Sequence, residues 1–256
     1  MAALLGEPPL AGPPRDGQLL DRDLEPLQVL QLLQLCDSAL PVGGSAHSFG
    51  LETLVAEELL TVETLEEFLR AYLTEAGLLE GVFFGRGWRL AVLTASEELL
   101  PRWRALNAEL SALKLARESR QASIMMGRRL LHLVQGWFSD ERLTSVQQVA
   151  LREDGVSHYA LAAGLLCGLL GIEEHVALAS FLHQQLAAVL AACQRLLPLG
   201  QRRAMLLLWQ LKPALLAVTE QARDCLERGE EPWQWTPLVE LGGLRHPYLE
   251  TRLFIS

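Results

Sequence analysis

Along most of the chain, apolar residues recur at helical spacing. The plainest case is Leu65, Phe68, Leu69, Tyr72, Leu73 and Ala76, which fall at i, i+3, i+4, i+7, i+8 and i+11 and put one apolar stripe on an amphipathic helix. Glu63, Glu66 and Glu67 stand at its start, where negative charge complements the helix dipole, and Thr61 or Thr64 can cap it. Leu27, Leu30 and Leu33 mark one face of an earlier helix. The same period predicts helices near 78–93, 97–110, 113–134, 144–152, 157–171, 176–196 and 202–227, with Pro213 kinking or breaking the last. No strand-like alternation competes, and no internal repeat is evident. The expected fold class is all-α, a single-domain bundle of about eight to ten helices whose short loops imply antiparallel neighbours.

Between the first two helical patterns lies a segment of a different kind, Leu35 to Glu52, reading LCDSALPVGGSAHSFGLE. Pro41 cannot continue a helix, and Gly43 and Gly44 permit angles and close approaches closed to other residues. The segment is a shaped turn between two helices. Residues 1–26 are rich in Pro and Gly and read as a flexible lead, with no basic region of the kind that opens a secretory signal. Residues 27–228 carry the helical body. From 229 to 256 the character changes: Trp233 and Trp235 stand among prolines, Leu241-Gly242-Gly243 is expected to break the chain again, and the end is apolar and aromatic. Trp233, Trp235, Tyr248, Leu253 and Phe254 carry too much apolar area for a segment that fades into water. They dock on the body or on another chain. The expectation is a docking tail, mobile from about Gly243 until a partner orders it.

Composition narrows the function. Half of the 256 residues are apolar and the formal charge is −9. The mean hydropathy of +0.19 fits either a leucine-rich core or apolar surface covered by a partner. The negative balance, without any basic run, argues against nucleic-acid binding, which needs clustered cations. Cys36, Cys167, Cys193 and Cys225 are far apart, as expected of reduced thiols in a cytoplasmic protein. The longest apolar run, residues 159–172, is shorter than the roughly 20 residues a bilayer requires, so no membrane span is expected.

Candidate chemistry is thin. The six histidines form no H-x-x-x-H pair and no cluster with cysteine at ligand spacing, so no metal site is assigned within one subunit. The Gly43-Gly44 run lacks the Gly-Lys-Ser/Thr ending of a phosphate loop. Ser45 or Ser48 beside His47 and Asp37 has no nucleophile elbow, and turn-forming polar residues explain it better. Arg120, Ser123 and Gly127 share one helix face, which is either a solvated face or a protein-contact face where Gly127 allows close approach. Gly164, Gly168 and Gly171 in an apolar helix permit a tight helix crossing. No catalytic constellation and no cofactor emerge. A rival reading is an all-α enzyme or small-molecule binder using His47 and His158 in a helical pocket.

Five blocks together carry a resemblance. Leu35–Glu52 is similar to the LPVGGF-S/A-H/Y-S-x-GLE signature of the UreF family of urease accessory proteins, departing from it at Ser45, where Phe is usual. Glu118-Ser119-Arg120-Gln121-Ala122-Ser123 with Gly127, Ser157-His158-Tyr159 with Gly164 and Leu170-Gly171-Ile172, Leu197-Pro198-Leu199-Gly200-Gln201, and His246, Tyr248, Arg252, Leu253 and Phe254 resemble its later blocks, in the family's order. The resemblance implies a non-enzymatic protein of the cytoplasm that bridges a UreD- or UreH-type accessory protein and a UreG-type GTPase. That complex would deliver nickel to apo-urease, and a homodimer is left open. It further implies partner contacts at Pro41, Gly43, Gly44, His47, Ser48, Glu118, Arg120, Ser123, Gln201, His246, Tyr248, Arg252 and Phe254. A scaffold of the same fold with a client other than urease is the remaining alternative.

Overall fold

The computed structural model describes residues 25–152, 154–230 and 237–256. The lead expected over 1–26 lies outside them, save Glu25 and Pro26, and so do Trp233 and Trp235. Twelve α-helical segments follow in order: α1 (Pro26–Leu35), α2 (Leu51–Ala56), α3 (Leu65–Tyr72), α4 (Leu78–Leu93), α5 (Ser96–Leu113), α6 (Arg117–Leu133), α7 (Glu141–Ala150), α8 (Tyr159–Leu169), α9 (Glu174–Leu196), α10 (Gln201–Gln210), α11 (Lys212–Arg228) and α12 (Pro237–Arg245). No strand occurs among the described residues, and the fold is all-α as the periodicity predicts. A π-helical turn, Leu73–Gly77, joins α3 to α4 as one rod. A single residue, Leu211, separates α10 from α11, with Pro213 inside the first turn of α11, where its missing N–H costs nothing.

The centre of the bundle is α8, whose residues are all buried except Ala163. It lies directly on α4. A Cβ on Gly164 would sit 1.9 Å from the Phe84 carbonyl oxygen, and one on Gly168 would sit 2.7 Å from that of Trp88. Two helices approach this closely only where side chains are missing, so the crossing anticipated for these glycines exists. Gly171 does something else. At φ 68° it ends α8 in the left-handed conformation, and the Ile172 amide returns to the Cys167 carbonyl. Around this pair, α9 contributes Leu178, Leu182, Leu186 and Leu190, and α11 contributes Leu215 and Val218. Phe84 stacks on Phe181 at 4.7 Å, and the Trp88 indole donates to the Ile172 carbonyl (2.8 Å). Each such buried apolar side chain contributes about 1.5–3 kcal/mol against solvent exposure. Among the described residues, helix α9 alone is long and apolar enough to cross a membrane, but half of its apolar window is buried in this core.

The stripe of α3 is used as read: Leu65, Leu69 and Leu73 are buried, and Phe68 and Tyr72 pack at the edge. In α1 the expectation fails. Leu27, Leu30 and Leu33 are 49%, 65% and 63% exposed, and the helix is anchored instead by buried Leu32 and by Gln28, whose side-chain amide donates to the Gly171 carbonyl (2.7 Å). A leucine-rich segment offers several apolar faces, and the period alone does not choose among them.

Candidate functional site

The shaped turn, the start of α6, α12 and the last residues of the sequence converge on one place. Gly43 (φ 86°) and Gly50 (φ 88°) are both left-handed, with a 3-10 turn, Gly44–Ala46, between them. Phe49 is left-handed too (φ 51°), an unusual angle for an aromatic residue, held there by its neighbours. At Gly50 the turn meets α12 backbone to backbone: a Cβ there would lie 2.5 Å from the Val239 oxygen and 2.6 Å from the Gly243 nitrogen. Gly242 is equally tight against the Gly50 oxygen. Gly242 and Gly243 therefore do not break the chain, as the sequence suggests, but lie inside α12 and give it a bare face for docking.

Beyond α12 the tail is pinned by a buried charge cluster. His246 is fully buried and its ring lies between two carboxylates, with Nδ1 2.7 Å from Glu118 Oε2 and Nε2 2.9 Å from Glu52 Oε2. Glu52 also accepts from the backbone amides of Leu253 and Phe254, and Arg252 Nη1 donates to Glu118 Oε1 (3.3 Å). Burial alone would raise the Glu52 carboxyl, but the Leu253 amide, His246 and the Phe254 amide outweigh it and hold the group below its usual range. Glu52, Glu118, His246 and Arg252 thus close on one another.

Next to the cluster the tail forms strand-like bonds with the turn. The Ile255 amide donates to the Ala46 carbonyl (2.9 Å), and the amides of Ser48 and Phe49 donate to the Ser256 carbonyl. His47 Nδ1 is 2.8 Å from Ser256 Oγ. Burial first, and the Arg129 charge second, push the His47 ring below its usual value. Phe254 is buried, with the Arg195 guanidinium 4.1 Å above its ring, while Arg195 Nη1 donates to the Ser45 carbonyl (2.8 Å). The tail is therefore docked on the chain's own body. His246 and Phe254, expected at a partner contact, are spent inside the fold. Tyr248, Leu253 and Ile255 point out, 84%, 55% and 66% exposed.

Other expected site residues lie elsewhere. Pro41 is exposed at the turn; Gly43 is covered by the Arg129 guanidinium and Gly44 by the Met126 methyl. The face carrying Arg120, Ser123 and Gly127 is turned inward. Arg120 Nη1 donates to the Lys114 carbonyl (2.6 Å), Ser123 Oγ bonds His158 Nδ1 (3.0 Å), and Gly127 abuts the Ser157 carbonyl. His158 also bonds Ser111 through Nε2 (2.8 Å), and burial, then the Lys114 and Arg120 charges, push it down to about 3. It is a neutral core histidine. Gln201 is exposed at the start of α10, accepting from Gln194. Neither His47 nor His158 lines the small cavity of about 60 Å³ beneath α12. Among the described residues no three His, Cys, Asp or Glu side chains gather as a metal would require.

Glu52, Arg129, Arg195 and Ser256 were missed as site residues. Glu52 stands in the signature itself, so its position was available. Nothing in sequence spacing marks Arg195, which meets the turn across 150 residues.

Comparison with known proteins gives a consistent result. The family model described as UreF matches residues 59–212, a stretch that includes α6, α8 and the Leu197–Gln201 turn but neither the shaped turn nor the tail. The chain is 31% identical to the urease accessory protein UreF of Lachnoclostridium phytofermentans over 239 residues, covering 89% of this chain and 98% of that one. It is 33% identical to the protein of that name from a Nostoc species (89% and 95% covered) and 29% identical to that of Haemophilus influenzae (93% and 99% covered).

Proposed function

The chain belongs to the UreF family of urease accessory proteins, and from that membership we propose that it works without catalysis of its own, as the piece that joins a UreD- or UreH-type accessory protein to a UreG-type GTPase. The complex so formed acts in the cytoplasm on apo-urease and delivers nickel to it. Nucleotide and metal chemistry belong to the GTPase, and this chain supplies geometry. The observation that carries the reading is the construction of the tail. His246 and Phe254 are buried pins, and between and beside them Tyr248, Leu253 and Ile255 are held out into solvent on a fixed frame. Aromatic and aliphatic side chains preorganised in this way cost little ordering entropy on association. They form the contact proposed for the UreD-type partner, with Pro41 and Arg252 at its edge. A second copy of the chain would find another apolar face on α10, where Met205, Leu206 and Trp209 are exposed.

The test is co-purification of the tagged full chain with a UreD-type protein and a UreG-type protein, separately and together. Capture of the UreD-type protein by the wild type, and its loss in Tyr248→Ala combined with Leu253→Ala, is the expected result. Equal capture by the variant would move the contact off the tail, and no capture of either protein would sink the bridging role.

A further inference from the structure

We propose that the cavity beneath α12 is a built water site, in which a small cluster of ordered waters bridges the Lys114 ammonium to the hydroxyls of Ser119 and Tyr72. The cavity, of about 60 Å³, is walled by the end of α3, the start of α4 and the first half of α6, with Val239 and Glu240 of α12 as its roof. Lys114 and Ser119, 9% and 8% exposed, both line it. An ammonium carries three N–H donors. One goes to Glu80 Oε1, and the other two meet no acceptor among the described residues. The hydroxyls of Ser119 and Tyr72 likewise make no hydrogen bond among the described residues. Burial first, and the Glu80 charge second, push the Tyr72 phenol above its usual value, so it keeps its proton to donate.

Other fillings fit poorly. The Lys114 ammonium repels a cation, and the carboxylates of Glu80 and Glu240 repel an anion. Two further polar residues of the lining are already engaged: Ser123 Oγ bonds His158, and Glu240 Oε2 accepts from the Ala116 amide (2.7 Å). A dry, apolar filling would leave an ammonium and two hydroxyls stripped of water with nothing in return, which folded proteins rarely tolerate. Water supplies what these groups lack. Each molecule both donates and accepts and needs about two to four polar partners, and a cavity of this size has room for more than one. The cluster accepts from the ammonium and from the phenol, and Ser119 can take either role. Leu79 and Met126 form apolar walls that confine it. The roof comes down beside Ser119, since a Cβ on Gly243 would lie 3.2 Å from its Oγ. Under Val239 and Glu240, α12 therefore rests on water, and its close backbone contact is the one at Gly50. The inference concerns this chain alone and stands whether or not the urease reading does.

The experiment is a high-resolution crystal structure of the full chain, with a second crystal held under xenon. Water density should appear in the cavity within about 3.2 Å of Lys114 Nζ and of Ser119 Oγ, and xenon, which enters dry apolar cavities, should stay out. Ser119→Ala and Tyr72→Phe each remove one hydroxyl with little change of shape. Each should lose the water peak at its own position and keep the water at Lys114. In solution, water-to-amide nuclear Overhauser effects at Lys114 and Ser119 should report the same molecules in the wild type. Xenon density in the cavity, a side chain filling it, a metal ion or a solute other than water bound there, or water positions unchanged in both variants would each overturn the proposal.

Discussion

At the level of single residues, His246 joins α2, α6 and the tail, its ring lying between the carboxylates of Glu52 and Glu118. Replacing it with Ala leaves Glu52 buried against only two amides. We expect His246→Ala to lower unfolding stability by about 3 kcal/mol, because it takes a hydrogen-bond partner from two carboxylates, one of them buried. A urea melt with an unchanged midpoint would show that the cluster is dispensable. His158 makes a prediction of opposite chemistry. Its folded value is pushed down to about 3 from the ordinary 6.5. Between those values the unfolded chain binds the extra proton, so the stability from this site is complete above about 6.5 and is lost as pH falls toward 3. The loss is at most about 1.4 kcal/mol per pH unit. Urea melts at a series of pH values check this: the slope should become shallower in His158→Gln, and an identical slope would assign the acid sensitivity to other groups.

At the level of elements, α12 and the shaped turn are one structure made from distant parts of the chain. Their contact depends on Gly50, Gly242 and Gly243 having no side chains. Gly50→Ala combines a left-handed angle with a Cβ pressed against two backbone atoms, and it should destabilise by at least about 2 kcal/mol. Circular dichroism should stay helical while the thermal midpoint drops. A midpoint equal to the wild type's would mean that α12 can move aside without loss. The tail has a similar consequence. Deleting residues 249–256 removes buried Phe254 and the two amides that Glu52 accepts from. The truncated chain should therefore lose about 3–5 kcal/mol, on the scale of a Phe-to-Ala change in a core, as well as any partner it captures. If the truncated chain melts like the full one, the tail is not part of the folded core.

At the level of the whole molecule, the folded body and the proposed contact surface separate cleanly by exposure. Tyr248→Ala should change stability by less than about 0.5 kcal/mol, because the side chain is 84% exposed. The same variant should reduce capture of a UreD-type protein in pull-down. A large fall in melting temperature with normal capture would reverse that assignment. The isolated chain should also fail to hydrolyse GTP and should release nickel on dialysis, which equilibrium dialysis against a nickel salt measures directly.

The all-α fold, the positions of most helices (α12 excepted) to within a few residues and the special nature of Leu35–Glu52 were legible in the sequence, because helical period, proline and glycine act locally. Family membership was legible for a related reason: short blocks in order survive even where overall identity is near 30%. The sequence could not say which face of α1 is buried, because its leucines allow more than one. It also could not tell that the Arg120–Ser123–Gly127 face turns inward on His158, or that the tail is pinned by Glu52 and Glu118. Those outcomes depend on which residues meet across long stretches of chain, as Ser123 and His158 do across 35 positions and His246 and Glu52 across 194. Spacing along a helix fixes which side chains share a face, and only the packing of the other helices decides whether that face meets water, core or partner.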